Sequence, residues 1–337
     1  MRSVRIVLGM LLFCTVFYLV NGVLVRKSHY MDSIGRFLTT PDIEVDVVGF
    51  GSSHMYCTLN PIEMFRHTRL RSYVACTQQQ PAEITYNYIK RVLTYHRPKV
   101  VLLETFMFFC QDAPAKIGVA VAHDALDPIP LDLDKFQLVC SSPYLADREG
   151  LIMPFLKYHS RWKELMCHDR GKGTISDKHD YSIMGFRLFG NVVSNEVRQI
   201  NWNGEATDLD EYYVDKLNRI AQLVTSHGVQ LVLLTVPYSP LTDAVEGRLR
   251  AIDKMAKEKG LFHVNLFRDF SKAGIGSGDF HDRGHLNVWG SEKATRYIGE
   301  RLLGEFDLVV NDSAETLAIW TKECRRYDAM KEALARK

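Results

Sequence analysis

The chain has 337 residues, 46% hydrophobic and 24% charged, which fits one large α/β domain with insertions or two small domains; 22 Gly and 11 Pro exclude a collagenous or low-complexity protein. Forty-two basic against 40 acidic residues leave a net charge of +2, so there is no electrostatic case for nucleic acid as the partner. Seven cysteines, at 14, 57, 76, 110, 140, 167 and 324, are odd in number and form no CxxC pair, which excludes a zinc ribbon and argues against a disulfide scaffold. They read as buried free thiols.

Ile6 to Val25 is a nearly unbroken apolar run bounded by Arg2 and Arg5 before it and Arg26 and Lys27 after it. Twenty residues at about 1.5 Å rise cross a ~30 Å hydrocarbon slab. A cleavable signal has a shorter apolar region followed by small residues, whereas this run ends in Val-Leu-Val and then charge. Residues 1–27 therefore read as an uncleaved single-pass anchor, with a buried core helix as the alternative. Basic residues balance across the run, and the short leading segment favours an inside start, which leaves the body outside the cytoplasm in a cell membrane.

From residue 42 to about 310, strands alternate with helices. Glu44 to Phe50 is a β-branched run closed by Gly51 and reads as the first core strand, with shorter candidates at Arg71 to Cys76 and Lys99 to Glu104. Pro81 opens a helix whose Ile84, Tyr88, Val92 and Tyr95 share a face. Leu209, Tyr213, Leu217, Ile220 and Val224 trace a second helix, followed by a strand at Val229 to Thr235. A helix through Val245, Leu249, Ile252 and Ala256 leads to a strand at Phe262 to Leu266, and Ala294, Ile298 and Leu302 mark the last helix of the series. This alternation predicts an α/β fold of three layers, α/β/α, around a mostly parallel sheet. Residues from about 106 to 203 break the alternation and read as an inserted cap that shapes a pocket mouth. Residues 311–337 read as a basic helical tail with Leu317, Trp320 and Cys324 on one side, suited to an anionic membrane surface or to a solvated face.

Two places carry chemistry. Gly51-Ser52-Ser53-His54 follows the first strand, where the carboxyl ends of parallel strands line a ligand crevice and a small-residue turn presents a hydroxyl. His281-Asp282-Arg283-Gly284-His285-Leu286-Asn287 precedes the last sheet-packing helix, and its Asp-x-x-His spacing lets a carboxylate orient an imidazole. A serine and an Asp-x-x-His are the parts of a nucleophilic acyl-transfer site. Alternatively, His281, Asp282 and His285 offer metal ligands. His54 reads as packing behind the site, and Asn287 as the cap of the following helix.

With these motifs the chain resembles the SGNH or GDSL-type hydrolases, in which a serine follows the first strand and a late Asp-x-x-His supplies orienter and base. The resemblance assigns Ser53 as nucleophile, His285 as base and Asp282 as orienter, and implies a flavodoxin-like sheet. The N-terminal anchor, Gly-Ser-Ser-His, and His285-Leu286-Asn287 followed by Gly290 look like the membrane-anchored branch that includes D-alanyl-lipoteichoic acid biosynthesis and alginate O-acetylation proteins. Tyr158-His159-Ser160-Arg161-Trp162 is similar to a segment of bacterial relatives, which makes His159 and Arg161 either contacts for an anionic substrate or a buried hydrogen-bonded pair. The family's Gly-x-Asn-Asp oxyanion block is missing; the corresponding strand ends read Cys76-Thr77-Gln78-Gln79-Gln80-Pro81 and Leu103-Glu104-Thr105, so Gln80 or Thr77 is expected to bind the oxyanion with backbone N–H groups.

The resemblance implies a serine esterase or O-acyltransferase acting on acetyl or D-alanyl groups of cell-envelope glycans or polymers, with no metal or organic cofactor and a multispanning membrane acyltransferase as partner. Two alternatives stay open: a non-catalytic envelope module that binds glycan or holds an acyltransferase complex together, and a lipid-directed esterase.

Overall fold

The structure, a computed structural model, describes residues 2–25, 30–41, 43–111, 113–165, 181–239, 241–310 and 313–336. It opens with the apolar helix α1 (Arg2–Leu24), which is long and apolar enough to cross a membrane and whose apolar window is unburied, Leu24 at its end being the buried residue. A five-stranded sheet follows, built from β1 (Val47–Phe50), β2 (Ser72–Val74), β3 (Val100–Glu104), β6 (Gln230–Thr235) and β7 (Phe262–Asn265). Its order is β2-β1-β3-β6-β7 and every pairing is parallel. Each strand is shorter than the apolar run that announced it.

Alternation along these strands divides the interior in two. Val48, Phe50, Val101, Leu103, Leu231 and Leu233 enter one core. There they meet the apolar faces of α4 (Ala82–Tyr95), α10 (Glu211–Ser226) and α11 (Asp243–Glu258). Val47, Val100, Leu102, Val232, Leu234 and Val264 enter the other, with α2 (Ser53–Thr58), α3 (Pro61–Thr68), α12 (Val288–Glu305) and α13 (Ala314–Ala335). A sheet buried on both faces explains why its strands read as continuous apolar runs. On α4, Ile84, Tyr88 and Val92 are buried as their spacing predicts, but Tyr95, in the last turn, is 42% exposed.

The chain leaves β1 toward β2 on one side, while β3 lies on the other. In an open parallel sheet, such a reversal of strand order opens a crevice at the carboxyl ends of the two strands. Ser53 lies just past the end of β1, and Glu104 ends β3.

The described residues between 106 and 203 pack onto the body. They hold the short helices α5 (Phe106–Phe109), α6 (Val119–Leu126), α7 (Leu133–Ser141), α8 (Arg148–Ile152) and α9 (Pro154–Tyr158), then a 3₁₀ turn at His159–Lys163 and the hairpin β4 (Ser182–Ile183) and β5 (Phe186–Arg187). Leu126, Val139 and Leu151 join the first core, and Ile183 and Phe186 the second. The hairpin turns through Met184 and Gly185, both at positive φ, and the Val74 N–H donates to the Met184 carbonyl at 3.0 Å, so the β2 end of the sheet is partly covered.

The tail, α13, buries its apolar side against the body and leaves Lys322, Arg325, Arg326 and Arg336 exposed, which matches the solvated-face reading and takes Trp320 away from a membrane surface. Trp320 stacks on Phe65 at 4.9 Å between centroids, and the Tyr327 hydroxyl donates to Glu292 at 2.6 Å and accepts from Asn60 at 2.8 Å. Of the cysteines, Cys57 and Cys76 are buried as expected, Cys14 and Cys140 are exposed, and Cys110 and Cys324 lie between; Cys167 lies outside the described residues.

Candidate active site

The site begins with a turn that only glycine fits. Gly51 has φ +149°, and a Cβ there would stand 2.6 Å from the Glu104 Cβ. Ser52 then caps α2, its hydroxyl accepting from the His54 N–H at 3.3 Å. Ser53, the first residue of the helix, is left facing the crevice.

Its Oγ lies 2.7 Å from His285 Nε2, across a sequence separation of 232 residues. His285 Nδ1 lies 2.9 Å from both Asp282 carboxylate oxygens. An ionised carboxylate only accepts, so Nδ1 carries the ring proton and Nε2 accepts from the serine hydroxyl. Asp282 is fixed in turn by the backbone N–H groups of Gly284 at 2.7 Å and His285 at 2.9 Å. Partial burial pushes its pKa up, but these bonds and the His285 contact outweigh it and hold the carboxyl below the usual carboxylate range.

Beneath the serine turn sits a group whose role the sequence did not signal. The Glu104 carboxylate is 1% exposed and accepts from the Ser52 N–H at 3.1 Å, the Ser52 hydroxyl at 2.8 Å and the Phe106 N–H. Burial without a neighbouring cation outweighs those bonds and raises its pKa to about 7. A carboxylate wedged between the ends of β1 and β3 thus fixes the residue immediately before the serine.

His54 packs behind the site, as its position suggests. Its ring stacks on His285 at 4.7 Å and on Phe106 at 4.0 Å, with Tyr238 edge-on at 5.7 Å, and its Nδ1 lies 3.2 Å from the Ser52 hydroxyl. Burial and the neighbouring His285 drive its pKa well below the usual histidine value, so it is a neutral wall, and its Nε2 is buried without a hydrogen-bond partner. Asn195 was also missed by the sequence: its amide donates to the Arg283 carbonyl at 3.0 Å and steadies the Asp282–His285 loop from the inserted segment.

Gln80 and Thr77 bond within their own loop. The Gln80 carbonyl oxygen accepts from the Thr77 N–H at 2.9 Å and the Thr77 hydroxyl at 3.3 Å, while its amide donates to Thr85 at 3.0 Å. Both are fully buried and act as loop ties. The nearer link from this loop to the serine turn is Cys76, whose thiol donates to the Ser52 carbonyl at 3.3 Å.

His159 and Arg161 are neither buried nor paired with each other. His159 Nδ1 bonds the Leu156 carbonyl at 3.0 Å, and Arg161 donates to the carbonyl of Leu24 at the end of α1. The His281 ring lies on Phe189 at 4.2 Å, and among the described residues no three His, Cys, Asp or Glu side chains gather as a metal would require.

A cleft of about 300 Å³ opens beside the edge-to-face pair of Phe106 and Tyr238, lined also by Tyr144, Tyr212, Tyr213 and Lys116. It is bounded largely by the inserted segment, and Ser53, Asp282 and His285 are not among its lining residues; Phe106 and Tyr238 reach the triad only through the His54 ring. Comparison with models of known protein families and with curated protein sequences gives no match.

Proposed function

We propose that this chain is a membrane-anchored serine esterase or O-acyltransferase of SGNH type, three-layered in architecture, acting outside the cytoplasm on acetyl or D-alanyl esters of cell-envelope polymers. One observation carries the proposal: hydroxyl, imidazole and carboxylate are aligned from Ser53 through His285 to Asp282 at 2.7 and 2.9 Å, at the carboxyl end of a parallel sheet.

Ser53 Oγ attacks the acyl carbonyl while its proton passes to His285 Nε2, and Asp282 stabilises the imidazolium. The tetrahedral oxyanion is met by the Ser53 N–H at the start of α2, since the N–H groups of Ser52, His54 and Met55 already donate to Glu104, the Ser52 hydroxyl and the Ser52 carbonyl. Collapse of the intermediate breaks the ester bond, and the leaving alcohol takes the proton from His285. Water or a glycan hydroxyl then attacks the acyl-serine while giving its proton to His285, and as the second intermediate collapses the acyl–Oγ bond breaks, His285 returns the proton to Ser53 Oγ and the acid or new ester leaves. Hydrolysis and transfer differ only in that acceptor. The tyrosines and Lys116 of the cleft offer rings and polar groups for a hydroxylated substrate, and the resemblance suggests a multispanning acyltransferase as partner.

Labelling with a fluorophosphonate probe tests the proposal. The wild-type chain is expected to label and Ser53→Ala is not, with turnover of a short ester falling about 10⁴-fold or more in the variant. Folded wild type that fails to label would leave a non-catalytic envelope protein instead.

A further inference from the structure

Helix α9 and the 3₁₀ turn after it do not face the cleft; they run along the second half of α1. The Phe155 ring lies 5.8 Å from that of Phe17, and the Phe155 N–H donates to the Asn21 side chain at 2.6 Å. Tyr158 closes a small buried cluster with Leu24 and Val25, and Arg161 reaches the Leu24 carbonyl. Other side chains of the segment stay in the open: Leu156 is 49% exposed and Trp162 66%, with Met153 and Leu165 beside them in sequence. Lys157 and Lys163 lie over the rings of Tyr158 and Trp162, at 5.2 and 5.6 Å.

Depth along α1 decides what these side chains meet. The apolar run ends at Val25, and Phe155 touches the helix between Phe17 and Asn21. At about 1.5 Å per residue that contact lies roughly 6–12 Å inside the end of the run. Interfacial helices rest at a comparable depth, with aromatic side chains at the headgroup level and lysines extending back to water. We infer that residues 153–165 form a second membrane contact, lying in the boundary between headgroups and acyl chains beside α1 and holding the body against the bilayer. The inference rests on α1 spanning the membrane and is independent of the acyl chemistry.

Quenching by brominated lipids tests it. The full-length chain is reconstituted into phosphatidylcholine–phosphatidylglycerol vesicles whose acyl chains carry bromine near the headgroup, and tryptophan emission is compared for wild type and Trp162→Phe. The chain has four tryptophans, and Trp202, Trp289 and Trp320 sit buried or half-buried in the body. Wild type is expected to lose about a quarter of its emission, and the variant only a small part of that. Equal fractional loss in both overturns the inference and leaves the patch to a protein partner. A fluorophore on Cys14, exposed on α1 about 16 Å from the end of the run and therefore read in vesicles brominated near the ends of the acyl chains, in a background with Cys110, Cys140, Cys167 and Cys324 replaced by serine, separates the two assumptions. A quenched label with an unquenched Trp162 removes only the second contact, whereas an unquenched label removes the spanning helix and the second contact together.

Discussion

Two carboxylates are buried at opposite ends of the same sheet, and they titrate in opposite directions. Asp46, just before β1, accepts from Arg71 at 2.7 Å and Lys99 at 2.8 Å as well as from the Arg71 N–H at 3.0 Å. Burial pushes its pKa up, but those two cations and their bonds win, and it stays below the usual carboxylate range. Glu104, at the end of β3, has comparable burial and three donors, yet none of its hydrogen-bond partners is a cation, and burial wins. The amino end of the sheet is thus a closed electrostatic clamp. At the carboxyl end a buried carboxyl with its pKa raised to about 7 and a bare histidine nitrogen are held under the serine, at a cost to stability of the kind that functional sites carry.

Breaking the clamp is the larger perturbation. Arg71→Met leaves Asp46 buried with Lys99 alone and is expected to cost about 3–5 kcal/mol, read from the denaturant midpoint. Probe labelling at Ser53 should persist wherever the variant is still folded, because the clamp and the triad sit at opposite ends of the strands. Loss of labelling in a folded variant would mean that the two ends are coupled.

Titration sharpens the contrast further. Glu104 has a folded pKa of about 7 against an ordinary value of 4.5, so the folded state holds its proton more tightly. Its contribution therefore favours folding increasingly as pH falls from above 7 toward 4.5, by an amount of roughly 3 kcal/mol at most. Asp46 has the opposite sign: its stabilisation is present above the ordinary carboxylate pKa and is lost as pH falls through its lowered value. Urea midpoints of wild type and Glu104→Gln at pH 8 and pH 5.5 isolate the first effect. Wild type should gain on the variant at the lower pH, and a constant gap would place the Glu104 titration back in the ordinary range.

The serine and the Asp-x-x-His were legible in the sequence because each is a local signal: a small-residue turn after a β-branched run, and a three-residue spacing that lets a carboxylate meet a ring. The sheet was legible for the same reason, since strands buried on both faces are written as unbroken apolar runs. Glu104 was spelled out at a strand end, but nothing local distinguishes a carboxylate that will be sealed under Gly51 from one that will meet water. The mutual bonding of Thr77 and Gln80, with the Gln80 amide tied to Thr85 of α4, was not legible, because nothing local says which polar side chain after a strand will be taken up by its neighbours. In the sequence Arg161 reads beside His159, and its bond to a backbone carbonyl 137 residues away is one that no spacing announces. In the tail, Trp320 and Tyr327 share one face, and burying a residue of that size is worth about 3 kcal/mol, more than the ~1 kcal/mol a basic residue gains at an anionic surface.

Asn287 gives the smallest effect, and the one that best separates holding a helix from holding a site. Its side-chain oxygen accepts from the Trp289 and Gly290 N–H groups at the start of α12, at 3.1 and 2.9 Å, as its place before that helix predicts. Its amide donates the other way, to the carbonyls of Gly278 and Phe280 at 2.9 and 3.3 Å, at the root of the loop that carries Asp282 and His285. Asn287→Ala removes both functions and should cost about 1–2 kcal/mol of stability, with slower probe labelling. Asn287→Ser keeps a competent cap but cannot reach both carbonyls. If the amide orders the triad loop, the serine variant recovers most of the stability while its labelling stays slow. Recovery of both together would assign Asn287 to the helix alone and leave the loop to Asn195 and the Asp282 turn.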